Sequence, residues 1–108
     1  MQDIAQLPET DGEGYLIDPH DWNEDIARRF AAGENISLTE DHWDALRFMR
    51  DYYADQQIAP DVRHVMKHLA ERLGPGSRNR IFELFPYGYV KQACKIAGMK
   101  RPRGWSTG

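Results

Sequence analysis

The chain has 108 residues, a formal net charge of −3 and a single cysteine, and 41% of its residues are hydrophobic. That fits one domain with a modest core, excludes an internal disulfide, and offers no run of about 18 apolar residues to span a membrane. The acidic opening MQDIAQLPETDGEG lacks the apolar core of a secretory signal, and with one thiol the expectation is a reducing, cytoplasmic compartment.

In chain order, ETDGEGYLI sets Asp11-Gly12 and Gly14 before Tyr15, Leu16 and Ile17. This reads as a turn and a short strand, one arm of a small N-terminal β hairpin. A first helix is expected from Asp18-Pro19, a good cap followed by a good first residue, with Trp22, Ile26 and Phe30 at four-residue steps and Gly33 as its stop. The second helix is capped by Thr39, with Leu38 and Trp43 placed for a hydrophobic staple and Ala45, Leu46, Met49, Tyr52 and Tyr53 on one face. The third begins near Pro60-Asp61, carries Val62, Val65, Met66, Leu69 and Leu73 in one stripe, and ends at Gly74-Pro75-Gly76. A short fourth helix is expected from Ser77 to Phe85, broken by Pro86, and a fifth from Tyr89 to Ala97, closed by Gly98. The stretch from Met99 to Gly108 contains Pro102, Gly104 and Gly108 and has no periodicity, so it is read as a flexible arm. The expected fold is therefore mainly α: a single domain over 1–108, a helical bundle of about five helices with a helix-turn-helix-like core, a short N-terminal β hairpin and a C-terminal arm over 99–108. The residues expected inward are Trp22, Ile26, Trp43, Leu46, Met49, Val62, Val65, Met66, Leu69, Ile81 and Leu84.

Charge is polarised along the chain. Eight acids and no Lys or Arg precede Arg28, whereas the last 23 residues carry Lys91, Lys95, Lys100, Arg101 and Arg103 and no acid. Either the basic end meets an acidic partner, or the two ends attract one another within the fold. Cys94 sits in this basic stretch. It shares a face with Val90, Ala93 and Ala97, which suits a small buried hydrophobe, while nearby Lys91 and Lys95 would favour a reactive thiolate. His64 and His68 are four residues apart on one helix, but no second ligand pair and no zinc-protease pattern accompanies them, so no metal or other cofactor is expected. The second and third helices, joined through Gln56-Gln57-Ile58-Ala59, have a helix-turn-helix outline exposing Arg63, His64, Lys67, His68 and Arg72. Asp61 and Glu71 interrupt that face and the chain as a whole is acidic, which argues against DNA as a partner.

LTEDHWDALRFMRDYYADQQIAPDVRHVMKHL followed by LFPYGYVKQACKIAGMKRPRG resembles the DsrC/TusE family of sulfur-relay proteins, which includes the gamma subunit of dissimilatory sulfite reductase. The resemblance runs from about Gly14 to Gly104. It implies a small helical domain with an N-terminal hairpin and a C-terminal arm, relay of sulfur without stand-alone enzymatic activity, and docking on a sulfur-relay or sulfite-reductase-type complex. By resemblance, Cys94 matches the earlier of two family cysteines, in the Lys-Gln-Ala-Cys segment. The later one follows a Pro-x-Gly near the end of the arm; here Pro102-Arg103-Gly104 is followed by Trp105. Indole accepts no sulfur. Cys94 is thus the one candidate sulfur-carrying or redox-sensing thiol, and Lys91, Lys95, Lys100, Arg101, Arg103 and Trp105 are the candidate partner-binding residues. Trp105 either anchors in a partner's pocket or folds back on the domain. A regulatory protein that binds DNA or another partner without carrying sulfur, and a competitor that docks without reacting, are the alternatives.

Overall fold

Asp11 organises the first turn of the computed structural model, which describes residues 8–99. Its carboxylate accepts from the amides of Glu13 and Tyr15 at 2.9 and 3.0 Å, and its own N–H donates to Tyr15 O at 2.8 Å. Gly14, at φ 92°, lets the chain double back. The expected β hairpin does not form. Among the described residues there is no strand, only one antiparallel bridge between Thr10 and Leu16. Pairing continues to a single further bond, Ile17 N–H to Glu9 O at 3.2 Å, because Asp18 already caps a 3-10 turn, Pro19–Asp21. So short a pair has no independent stability. Its inner residues instead plug the helical core: Tyr15 and Leu16 are buried.

The Asp18 cap therefore starts a 3-10 turn rather than the first helix. Trp22 is extended, and α1 (Glu24–Gly33) begins after it with the Asn23 side chain accepting from Ile26 N–H at 2.9 Å. Asn35, at φ 60°, turns the chain away after α1. α2 (Glu40–Gln56) starts at Thr39 as expected, and its capping box is closed by His42, whose ring takes the place usually held by Glu or Gln. α3 (Val62–Leu73) is capped by Asp61 and ends at Gly74. A 3-10 turn, Pro75–Ser77, then delays α4 (Arg80–Leu84), so the fourth helix is shorter than the sequence pattern suggests.

The fifth helix occupies the expected position with a different winding. Tyr89–Cys94 forms a π-helix, a wider coil, which passes into α geometry at Lys95 and Ile96. Tyr89, Val90, Gln92, Ala93, Cys94, Ile96 and Ala97 are all buried, leaving Lys91 exposed and Lys95 half-buried. This is the central element of the core, and Leu16, Leu46, Met49, Val65, Leu69, Ile81 and Phe85 belong to the same buried set. Of the residues expected inward, Trp22, Trp43, Val62 and Met66 are only half-buried and pack against the core's margin. Met99, where the sequence suggests an arm beginning, is fully buried, with its N–H bonded to Cys94 O at 3.0 Å.

Candidate functional site

Cys94 lies inside the π-helix with no exposed surface. The Val90, Ala93, Cys94 and Ala97 face read from the sequence is all core. Burial pushes the Cys94 thiol up to about 12, and the neighbouring Tyr89 hydroxyl only partly offsets this. The Tyr89 hydroxyl itself donates to Pro60 O at 2.5 Å, tying the π-helix to the segment before α3. Near neutral pH the thiol is therefore protonated, and the protonated form neither attacks sulfur nor binds metal.

Lys91 and Lys95, which the sequence places beside the thiol, point elsewhere. They line an open groove of about 290 Å³ together with Glu13 and Tyr15. Lys95 Nζ lies 3.8 Å from Glu34 Oε2 and 5.4 Å from the centroid of the Tyr15 ring. Glu34 also accepts from the Gln92 side chain at 3.0 Å, while Gln92 Oε1 accepts from Tyr87 N–H at 2.9 Å. Tyr15 donates its hydroxyl to Val90 O at 3.0 Å. The N-terminal turn, the loop after α1 and the π-helix are thereby fastened together under the basic strip. Gln92, almost fully buried, was not singled out by sequence; its signal is a polar residue within an otherwise apolar face. Lys100, Arg101, Arg103 and Trp105 lie outside the described residues.

The helix-turn-helix outline does not yield a basic face. Arg63 pairs with Asp61 at 3.4 Å, Arg72 with Asp44 at 3.3 Å, and His68 with the same Asp44 at 3.1 Å. The His68 ring stacks on Phe48 at 4.4 Å, and the His64 ring lies 5.1 Å from that of Tyr52, so each histidine packs on an aromatic neighbour of α2.

The model of the family described as DsrC like protein matches residues 5–105. This chain belongs to the DsrC-like family. It is 44% identical over 96 residues to the sulfurtransferase TusE homolog of Haemophilus influenzae, covering 87% of this chain and 88% of that one. Among solved structures it resembles the oxidized gamma-subunit of the dissimilatory sulfite reductase (DsrC) from Archaeoglobus fulgidus, with a TM-score of 0.85 and 34% identity over 97% of each chain. It also resembles DsrC of Allochromatium vinosum, with a TM-score of 0.81 and 40% identity over 98% of this chain and 96% of that one. The chain is a DsrC/TusE-type protein of sulfur metabolism, and nothing in the comparisons favours a DNA-binding regulator. No helix among the described residues is long and apolar enough to cross a membrane. In this chain Trp105 stands directly after Pro102-Arg103-Gly104.

Proposed function

We propose that this DsrC-like protein acts in the cytoplasm as a docking member of a sulfur-relay or sulfite-reductase-type complex, and that its resting fold carries no sulfur. The basic end engages an acidic cleft of the partner, with Lys91, Lys100, Arg101 and Arg103 steering and Trp105 anchoring, while Lys95 is held within the fold by Glu34 and the Tyr15 ring. The observation behind this reading is the complete burial of Cys94, the chain's only thiol. Acceptance of sulfur from a persulfide requires a thiolate to attack the terminal sulfur. The donor's S–S bond then breaks, and the donor leaves as its own thiolate. A buried, protonated thiol offers neither the nucleophile nor the approach.

The test is the intact mass of the native protein after incubation with a persulfide donor. The unmodified chain is expected to gain nothing, and Trp105→Cys to gain one sulfur atom, because the new thiol stands directly after the Pro-x-Gly. A one-sulfur adduct on the native chain that disappears in Cys94→Ala would make Cys94 the carrier and overturn the proposal.

A further inference from the structure

Arg50, on α2, is half-buried with no carboxylate bound to it among the described residues, and desolvation lowers its pKa below the usual arginine value. Its two terminal nitrogens donate to backbone carbonyls, Nη1 to Ala97 O and Nη2 to Pro19 O, both at 3.0 Å. Its guanidinium carbon Cζ lies over the Trp22 ring, 4.7 Å from the centroid. Trp22 in turn donates from Nε1 to Ile96 O at 2.8 Å. Two successive carbonyls at the end of the last helix, which a helix terminus ordinarily leaves orphaned, are thus taken by side chains from two other parts of the fold. The next residue is Gly98, at φ 76°, packed so closely that an added Cβ would stand 2.3 Å from Trp22 Cδ1.

Filling this space would not require a cation. Withdrawing a guanidinium from water costs free energy that an apolar side chain of the same volume avoids. What the arginine adds is geometry: a planar fork with fixed donor directions, able to hold two carbonyls from distant segments while stacking on an indole. We propose that Arg50 and Trp22 form a clamp on Ile96, Ala97 and Gly98 that fixes the end of the last helix and the direction in which the chain continues beyond Met99. Arg50 is a positioning residue; it touches no reacting group. The proposal deepens the docking reading above and rests on it for its purpose, but its test needs no partner.

In the full chain carrying Cys94→Ala, nitroxide labels at Arg101→Cys and at Ala54→Cys, an exposed position on α2, report the distance from the domain to the departing segment. A control pair at Ala54→Cys and Glu71→Cys reports the domain alone. The first pair's distribution in the parent is the reference. Arg50→Met should roughly double its width while the control pair stays unchanged, and Arg50→Lys, which retains one donor to one carbonyl, should fall between. Gly98→Ala should displace the same distribution by pushing against Trp22. Equal widths in the parent and both Arg50 variants overturn the clamp, as does broadening of both pairs together, which reports a loosened core. If the clamp behaves as stated and deleting residues 100–108 leaves partner affinity unchanged, it is the docking reading that fails.

Discussion

At the scale of single residues, burial decides what two titratable groups do. Cys94 is neutral in the folded chain up to about pH 12, whereas a solvated thiol ionises near 9.0. The unfolded chain thus releases this proton first. Stability linked to Cys94 is complete below about pH 9 and declines as pH rises towards 12. Unfolding free energy measured across that window should fall more steeply in the parent than in Cys94→Ala. A thiol-specific reagent should also react slowly with the native protein and rapidly in denaturant. His42 has the opposite sign. Nδ1 accepts from Thr39 N–H at 3.0 Å and Nε2 donates to Leu84 O at 2.8 Å, so the neutral ring is fully used. Burial holds its pKa below the ordinary 6.5, the Leu84 carbonyl opposing this and Arg80 reinforcing it. The unfolded chain takes up the proton that the folded one resists. Stability should therefore be level above about pH 6.5 and fall as pH drops below it. His42→Ala removes half of a capping box and strands a buried carbonyl, a loss of about 1–3 kcal/mol. Chemical denaturation of the parent and variant at pH 7 and pH 5 measures both effects, the gap narrowing at the lower pH.

At the scale of elements, α2 and α3 each start at a side-chain cap and bury an apolar stripe. Leu46 and Leu69 have no exposed surface, and truncating either to Ala should cost about 2–5 kcal/mol in unfolding free energy. Losses below about 0.5 kcal/mol at both would contradict the packing described for these helices. The π-helix behaves differently, because its role is to bury nearly every side chain from Tyr89 to Met99 while keeping Lys91 outside. A helix of either winding places successive residues around its whole circumference, so burying nearly all of them requires that the helix sit at the centre of the core. The N-terminal segment shows the converse. Its turn chemistry is correct for reversing the chain, with Asp11 and Gly14 in their places, yet two or three residues on either side do not make a ladder.

At the scale of the molecule, the polarity of charge along the chain has a partial internal explanation. Lys95 is drawn to Glu34 and to the Tyr15 ring, so one cation of the basic stretch is spent on holding the N-terminal turn against the last helix. Lys91 remains exposed on the same strip. For the docking reading, charges at the rim and an anchor at the centre should differ in kinetics. Arg101→Ala should slow association with a copurifying sulfur-relay partner and weaken its dependence on salt, whereas Trp105→Ala should speed dissociation, by about 2 kcal/mol or more. Surface plasmon resonance at two salt concentrations separates the two, and identical rates for the parent and a chain lacking residues 100–108 would rule out docking through that segment.

Much of this architecture was already legible in the sequence, wherever local chemistry and local position coincide. Thr39, Asp61 and Gly74 mark the ends of α2 and α3 because capping is a matter of a few neighbouring backbone groups. The family was legible too, since its motifs are strings of side chains. The sequence likewise determined that this chain has one thiol and an indole after its Pro-x-Gly. It left open whether Cys94 faces water, because a cysteine flanked by lysines and small apolar residues suits a core and a reactive site equally. Tertiary structure decided that, by closing the fold around the π-helix and withdrawing the thiol from solvent. It also turned Asp18 from a helix cap into the cap of a 3-10 turn, since Trp22 must stay extended to reach Ile96 O some 74 residues away. Bonds of that span, together with Arg50 to Ala97 O and Tyr15 to Val90 O, leave no local pattern to read. They join groups whose proximity is itself a product of folding.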